Sequence, residues 1–443
     1  MKRLFYFFLI SCLTALPALA QESLQEVYNA AVAAFEAKDY HTYLEKIREA
    51  NEMRPNHPTI VAKLAGAWAL TGRKSRAVQT LQQMLLMDAT FDFTSAPEFE
   101  SLKNYRGYDD LLELQARLSK VEVHDEVFRV INAGMLHPES FVLLDSGELL
   151  LGSIREKRIV KVDTNGLVSD WIDLPYSVLG MKYDALRDHL WVATAAFPEM
   201  VDFNPKDQGK SMIVQVDVSE GRILHGVEFN DGSVIGDVLL DDRQRIWHSN
   251  SAKPFLVRNV TDTAEYYGAF SRKYIDLQDS HFNLQGLTLN DSQRYLYFAD
   301  YISGIHRVDL QTDKIEKVFA SENILLKGID GLYFYNNTLL AIHNGVKPYK
   351  VVQYFLDESG LFIDMERIIN RGGESLGEPT LGQVKDGYFY YLANSPWAAY
   401  DANKNLLPEK VSPIEIRRIN LYLNKSTRCP WNPFLTKSEL IAG

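Results

Sequence analysis

Only two cysteines, Cys12 and Cys429, occur in 443 residues. Cys12 falls inside an N-terminal segment that reads as a leader, so the remaining chain has a single thiol. No intrachain disulfide can then form, and the fold must be held by packing alone. Long apolar runs are also missing. Beyond the first 20 residues no stretch of about 18 apolar residues exists, which excludes a transmembrane helix in the rest of the chain. Basic clusters are missing as well. The formal charge is −11, and an acidic chain without a basic run is a poor nucleic-acid binder. There is no nucleophile elbow of the G-x-S-x-G type, no phosphate loop, no Cys-x-x-Cys pair and no dinucleotide fingerprint.

The first residues, MKRLFYFFLISCLTALPALA, give a positive start at Lys2 and Arg3, an apolar run from Leu4 to Leu16, and a small-residue cleavage pattern at Ala18-Leu19-Ala20. We read residues 1–20 as a signal peptide and the protein as exported, either periplasmic or secreted. An alternative is a lipid anchor at Cys12, within Leu9-Ile10-Ser11-Cys12. Removing the segment takes away Lys2 and Arg3 and moves the formal charge from −11 to −13. Hydrophobic residues make up 46% and aromatics 12% of the chain, values of a globular rather than a disordered protein.

Residues 21–120 have a helical period. EVYNAAVAAFEAKDYHTYLEKIREANEMRPNHP steps its apolar residues by three and four and ends at Pro55 and Pro58. TIVAKLAGAWALTGRKSRAVQTLQQMLLMDATF repeats the scheme, so that Tyr43 matches Ala77 and Leu44 matches Val78, 34 residues on. Ala31 and Ala65 stand where helices must approach closely. The period resembles that of tetratricopeptide repeats, which implies either a groove for a protein or peptide partner or a spacer.

From residue 121 to 423 the period becomes two, with short apolar strands bounded by Asp, Asn and Gly. Equivalent strand starts recur near Glu139, Gly180, Asp237, Gln285, Asp330 and Glu378, at spacings of 41 to 57 residues. A unit of that length holds four short strands. Six such units predict a mainly β, six-bladed propeller behind the helical segment. Trp191, Trp247, Tyr297 and Phe389 fall on second strands and are expected between blades. Residues 424–443 form a polar, proline-punctuated tail.

In a propeller the innermost strands line a central channel, so their first residues meet at one mouth. Glu139, Asp237, Gln285, Asp330 and Glu378 are therefore expected together. The ends of the second strands add Asn250, His343, Asn344 and Asn394. Crowded carboxylates repel one another, and a hard cation relieves that cost. Calcium takes six to eight oxygen ligands of this kind, whereas zinc would want the scarce His and Cys.

PESFVLLDSGELLLGS, LQGLTLNDSQRYLYFAD and GIDGLYFYNNTLLAIHNG resemble the gluconolactonase/regucalcin superfamily, which includes paraoxonase-like and strictosidine-synthase-like proteins. The likeness spans roughly Val121 to Leu421. It implies a divalent metal, commonly calcium, with ligands falling on Glu139, Gln285 and Asp330, and Asp237 in a third-blade motif. Gln285 stands where the family has Asn, and Gly236 where Asn precedes the third-blade Asp. Two functions follow as expectations. One is a calcium-dependent hydrolase of lactones or related esters, with His343 or Asp237 as base and Asn250, Asn344, Asn394 and Glu378 near the substrate. The other is a non-catalytic propeller whose helical repeats dock a partner.

Overall fold

The computed structural model describes residues 22–260, 271–277, 281 and 283–422. The leader and its cleavage site, the alternative anchor at Cys12, and the tail with Cys429 lie outside the described residues.

Five α-helices come first: α1 (Leu24–Glu36), α2 (Tyr40–Met53), α3 (Pro58–Leu70), α4 (Lys74–Met87) and α5 (Tyr108–Ser119). A short 3-10 helix, Pro97–Leu102, precedes α5. Their starts follow from local chemistry. Ser23 and Glu26 close a reciprocal capping box on α1, Asp39 accepts from the Thr42 N–H at 3.2 Å on α2, and Pro58 opens α3. The helices α1 to α4 form two hairpins. Ala31, Ala65 and Ala77 are fully buried at their contacts, where only a small side chain lets the backbones approach.

Six sheets follow, antiparallel except where the short strand Phe319–Ala320 pairs parallel with Phe362–Arg371. Their innermost strands are Pro138–Leu143, Ser177–Asp184, Val238–Leu240, Leu284–Leu289, Ile329–Tyr335 and Gly382–Lys385, for blades 1 to 6. The predicted six-bladed propeller is thus the architecture found. Trp191, Trp247, Tyr297 and Phe389 are all buried, Trp247 and Phe389 completely. A blade buries its faces only against its neighbours, so these rings supply the apolar area that joins them.

Blade 6 takes its outermost strand from the other end of the domain. Glu126–Ile131 pairs with Ile414–Asn420, with Glu126 opposite Arg418. The circle is therefore closed by hydrogen bonds, which leaves no free edges at the seam. Glu122–Val123, just before this strand, pairs with Phe362–Arg371 of blade 5 and ties the helical segment to the ring.

The helices also dock on the propeller directly. The Ala89 N–H donates to Lys347 O at 2.7 Å, and the Lys347 N–H donates to Met87 O at 2.9 Å. Val61, Met84 and Met87 bury themselves against Leu325 and Val346. Gln82 donates to Asn323 Oδ1 at 2.9 Å beside them.

Candidate active site

Four innermost strands share one irregularity. In blade 1 the pairing jumps from Pro138↔Ser153 to Phe141↔Leu151, so three steps on the inner strand match two on its partner. The same slip recurs at Val178 to Met181, Leu284 to Leu287 and Ile329 to Leu332. Each is a β-bulge, a device that re-aims a side chain. The residues inside the bulges are Glu139–Ser140, Leu179–Gly180, Gln285–Gly286 and Asp330–Gly331. Four of the six repeated strand starts seen in the sequence, at Glu139, Gly180, Gln285 and Asp330, are therefore bulges; Asp237 and Glu378 stand before regular inner strands.

The second bulge residue is small because the next blade lies against it. A Cβ on Gly286 would come within 2.6 Å of Asp330 O, and one on Gly180 within 2.8 Å of the Asp237 Cα. Real Cβ atoms do not approach so closely. Elsewhere the neighbouring blades are joined by hydrogen bonds. The Ser140 hydroxyl donates to Leu179 O, the Gly180 N–H to Gly236 O at 2.9 Å, and the Thr380 hydroxyl to Glu139 O at 2.7 Å. The last of these joins blade 6 to blade 1.

Bulge residues and other side chains at the mouth meet in one chamber of about 470 Å³. Glu139, Asp237, Gln285, Asp330, Asn344 and Glu378 all line it. Leu179, Phe197, Val234 and Trp397 form its apolar wall, and Asn283 and Tyr301 complete the polar side. Trp397, Tyr301 and Asn283 did not emerge from the sequence pattern. Trp397 lies in the NSPWAAYD loop after the second strand of blade 6, where a tryptophan amid polar residues was the available signal. Tyr301 directly follows Asp300 at the end of a second strand.

Glu139, Asp237 and Asp330 are each only 8% exposed. The Trp397 indole N–H donates to Glu139 Oε2 at 2.7 Å, with the Ser395 hydroxyl at 3.3 Å. The Val238 and Leu287 N–H groups donate to Asp237 Oδ1 and Oδ2 at 2.8 and 3.4 Å. The Asn344 amide donates to Asp330 Oδ2 at 2.7 Å, and its carbonyl oxygen accepts from the Tyr301 hydroxyl at 3.0 Å. Among the described residues, no donor reaches Glu139 Oε1 or Asp330 Oδ1.

Burial raises every acid here, and repulsion from neighbouring acids adds to it at Glu139 and Asp330. Burial, then the charge of Asp330, holds Glu139 well above the usual carboxylate range. Burial pushes Asp330 up to about 7; the Asn344 amide opposes this, and Asp237 and Glu378 add to it. Asp237 is pushed up to about 6 by burial, against its two backbone donors and the Lys182 charge. Glu378 is raised by burial, offset by Lys347 and Tyr349.

The donors suit a hard cation in kind, since all are oxygens. Among the described residues, however, no three His, Cys, Asp or Glu side chains are gathered closely enough to hold an ion by themselves. An ion would draw on Gln285 and on carbonyl or water oxygens beside the acids. The two departures from the family pattern turn out to be neighbours. Gln285 Nε2 donates to Asn283 Oδ1 at 2.8 Å, which leaves Oε1 3.5 Å from where a Gly236 Cβ would stand. The longer amide at 285 extends toward the space left free at 236.

Three expected site residues lie elsewhere. His343 is fully buried inside blade 5, with Nδ1 2.9 Å from Lys327 O and Nε2 2.7 Å from the Tyr354 hydroxyl. Burial drives its pKa well below the ordinary value, and it does not line the chamber. His343 is therefore not the base. Asn250 braces a turn: its Oδ1 accepts from the Val234 and Ala252 N–H groups and its Nδ2 donates to Ser233 Oγ at 2.8 Å. Asn394 donates to Pro413 O and accepts from the Glu415 N–H, both at 2.8 Å. Neither is a substrate contact, because their polar atoms are already committed to neighbouring backbone groups and, for Asn250, to the Ser233 hydroxyl.

The loop between α2 and α3 stands over the chamber. A second cavity, also about 470 Å³, runs between Arg54–Pro58 and the propeller mouth and shares Asn283, Tyr301 and Asn344 with the first. The helical segment thus forms one side of the approach to the acids.

No protein-family model and no curated protein matches the chain. Solved propellers resemble it in shape. A gluconolactonase from Xanthomonas campestris is 11% identical over 67% of this chain and 95% of that one, with a TM-score of 0.43. A virginiamycin B lyase from Staphylococcus aureus is 13% identical over 69% and 90%, at 0.43. A luciferin-regenerating enzyme is 11% identical over 68% and 95%, at 0.45. No chemistry is carried over from any of them.

Proposed function

We propose that the protein is an exported, calcium-dependent hydrolase of lactones or related esters. The observation that carries this reading is the meeting of Glu139, Asp237, Gln285 and Asp330, from four blades, in one chamber with two carboxylate oxygens that no donor among the described residues reaches. Glu139, Asp330 and Gln285 would hold the ion, with Asp237 beside them left free of it. A bound divalent cation supplies polarisation of a carbonyl oxygen and stabilises the negative charge that grows on it.

The chain's own residues divide the remaining work. Leu179, Phe197 and Trp397 receive the apolar body of a substrate, and the reacting carbonyl faces the opposite, acidic side. Tyr301 and Asn344 hold Asp330 in place through consecutive hydrogen bonds. The base is assigned to Asp237, because a carboxylate raised to about 6 can accept a proton from water near neutral pH and still be largely ionised. Its two backbone donors fix its orientation.

The test is calcium followed by a chelator, with melting temperature and hydrolysis of an aryl ester and a simple lactone read together. A ligand that binds only the native state raises the melting temperature by mass action. Stabilisation with turnover, both lost in Asp330→Ala, is expected. Stabilisation without turnover would leave a structural ion and sink the hydrolase.

A second reading has its own observation. The helices are joined to the propeller beside its mouth by the Lys347 backbone and the buried Val61–Met84–Val346 cluster. A binding module with tetratricopeptide-like repeats that dock a partner would also use such a rigid junction. Stabilisation by neither calcium nor chelator, with no turnover, favours this alternative.

A further inference from the structure

The cavity between the helices and the mouth has the opposite charge character to the chamber below it. Arg54, Lys327 and Lys347 all line it. Among the described residues, none of the three makes an ion pair. Arg54 projects from the end of α2 and makes no side-chain hydrogen bond there. The Lys327 ammonium reaches only the neutral Asn56 Oδ1. The Lys347 ammonium sits 3.5 Å over the Tyr349 ring. One acid lines the same space, Asp88, and its Oδ1 is turned to its own loop, where it accepts from the Thr90 N–H at 2.9 Å and from the Thr90 hydroxyl.

Two more features favour an anion. His57 caps α3 without a side-chain bond to the helix, and its Nδ1 is buried with no partner. The 13-residue helix α3 begins at this cavity, and its N-terminus carries partial positive charge. Lys327 is half-buried, and burial together with the Lys317 charge brings its pKa down to about 8, against the smaller effect of Asp300. Arg54 and Lys347 are exposed, so an anion entering the cavity meets three cations that, among the described residues, no ion pair already satisfies.

We infer that this cavity binds a carboxylate on the far end of the ligand whose other end enters the acidic chamber. The preferred ligand is then a small molecule with a carboxylate at one end and an ester or lactone at the other. The helical segment, through Arg54, contributes directly to its recognition. The ester end of this description rests on the proposed hydrolase; the anion site stands apart from it. Asn283, Tyr301 and Asn344 line both spaces, so one molecule can occupy the two at once.

The probe pair is monomethyl adipate and dimethyl adipate, which differ by one charge. Calorimetric titration of the full chain is expected to show binding of the monoester about tenfold or more tighter than the diester, the scale of one lost charge-assisted contact. Arg54→Ala and Lys347→Met should each weaken the monoester about tenfold and leave the diester unchanged. Arg54 makes no side-chain bond, so its removal tests recognition rather than folding. Equal affinity for both probes in the unaltered chain, non-binding of both included, overturns the inference. So does monoester affinity that survives the double variant. Loss of hydrolysis with the anion preference intact would sink only the hydrolase. Calcium-dependent hydrolysis without that preference would sink only the anion site.

Discussion

Trp397 donates its indole N–H to Glu139 Oε2 at 2.7 Å, and the same ring packs edge-on against His137 at 4.3 Å and Phe197 at 5.9 Å. A loop of blade 6 thereby fixes the carboxylate of blade 1. Replacing Trp397 by Phe keeps most of the packing and deletes the donor. A hydrogen bond to a charged acceptor is worth about 1.5–3 kcal/mol. We expect calcium affinity to fall about tenfold, with near-ultraviolet dichroism of the propeller little changed. Unaltered affinity in a calorimetric titration would show that Trp397 only packs.

His343 gives a contrasting expectation. It bridges Lys327 O and the Tyr354 hydroxyl, and that hydroxyl is also 2.7 Å from Leu325 O. The histidine thus braces the segment on which the helices rest. His343→Phe should strand buried polar groups and cost about 1–3 kcal/mol in urea unfolding. Its pKa is lowered, so the ring stays neutral through the physiological range, and the pH profile of kcat should not move. A fall in kcat of about a hundredfold with stability intact would restore it as the base.

The acids also make a pH prediction. In the unfolded chain Asp and Glu titrate near 4. In the folded chain Asp237 titrates at about 6 and Asp330 at about 7. Between these limits the folded state holds more protons, so stability falls as pH rises from about 4 to about 7 and then levels. The melting temperature of chelator-treated protein should therefore be lower at pH 7.5 than at pH 5, by several degrees. Asp237→Asn with Asp330→Asn should reduce that slope, leaving the part that the raised Glu139 and Glu378 contribute. Calcium, which binds the ionised forms, should reduce it too. A stability that rises across the window in the unaltered, metal-free chain but not in the double variant would contradict the sign.

The convergence of Glu139, Asp237, Gln285 and Asp330 was legible because it follows from a period. Strand starts that recur every 41 to 57 residues mark one rim of a closed circle, whatever the detail of each blade. His343 against Asn344 was not legible, since the two are adjacent and a strand sends neighbours to opposite faces. Which one faces the mouth depends on the Ile329–Leu332 bulge, a slip of one residue that leaves no local signature beyond Gly331. Asn250 and Asn394 were misread for a related reason. At a strand end an amide can serve a ligand or its own turn, and the choice is made by carbonyls and N–H groups at Val234 and Pro413, which only the fold brings near. The closing strand at Glu126–Ile131 alternates like any other, and nothing in it names its partner, almost 290 residues away.

That closure depends on one buried carboxylate. Asp125, just before the closing strand, has a fully buried side chain and receives Arg417 through both oxygens, at 3.1 and 3.0 Å. The Asn370 amide and the Tyr391 hydroxyl donate to the same group. One acid therefore links the entering chain to blade 5 through Asn370 and to blade 6 through Tyr391 and Arg417. Asp125→Ala leaves the Arg417 charge buried without its main partner, since Glu415 alone remains at 3.0 Å. Breaking such a pair costs about 3–5 kcal/mol. We expect early proteolytic cleavage near residues 121–126 and a lowered urea midpoint. Arg417→Met added to Asp125→Ala should recover part of the loss, because it removes the stranded charge. If the double variant were as unstable as the sum of the singles, the clasp would not be acting as a pair, and the seam would be held by strand pairing alone.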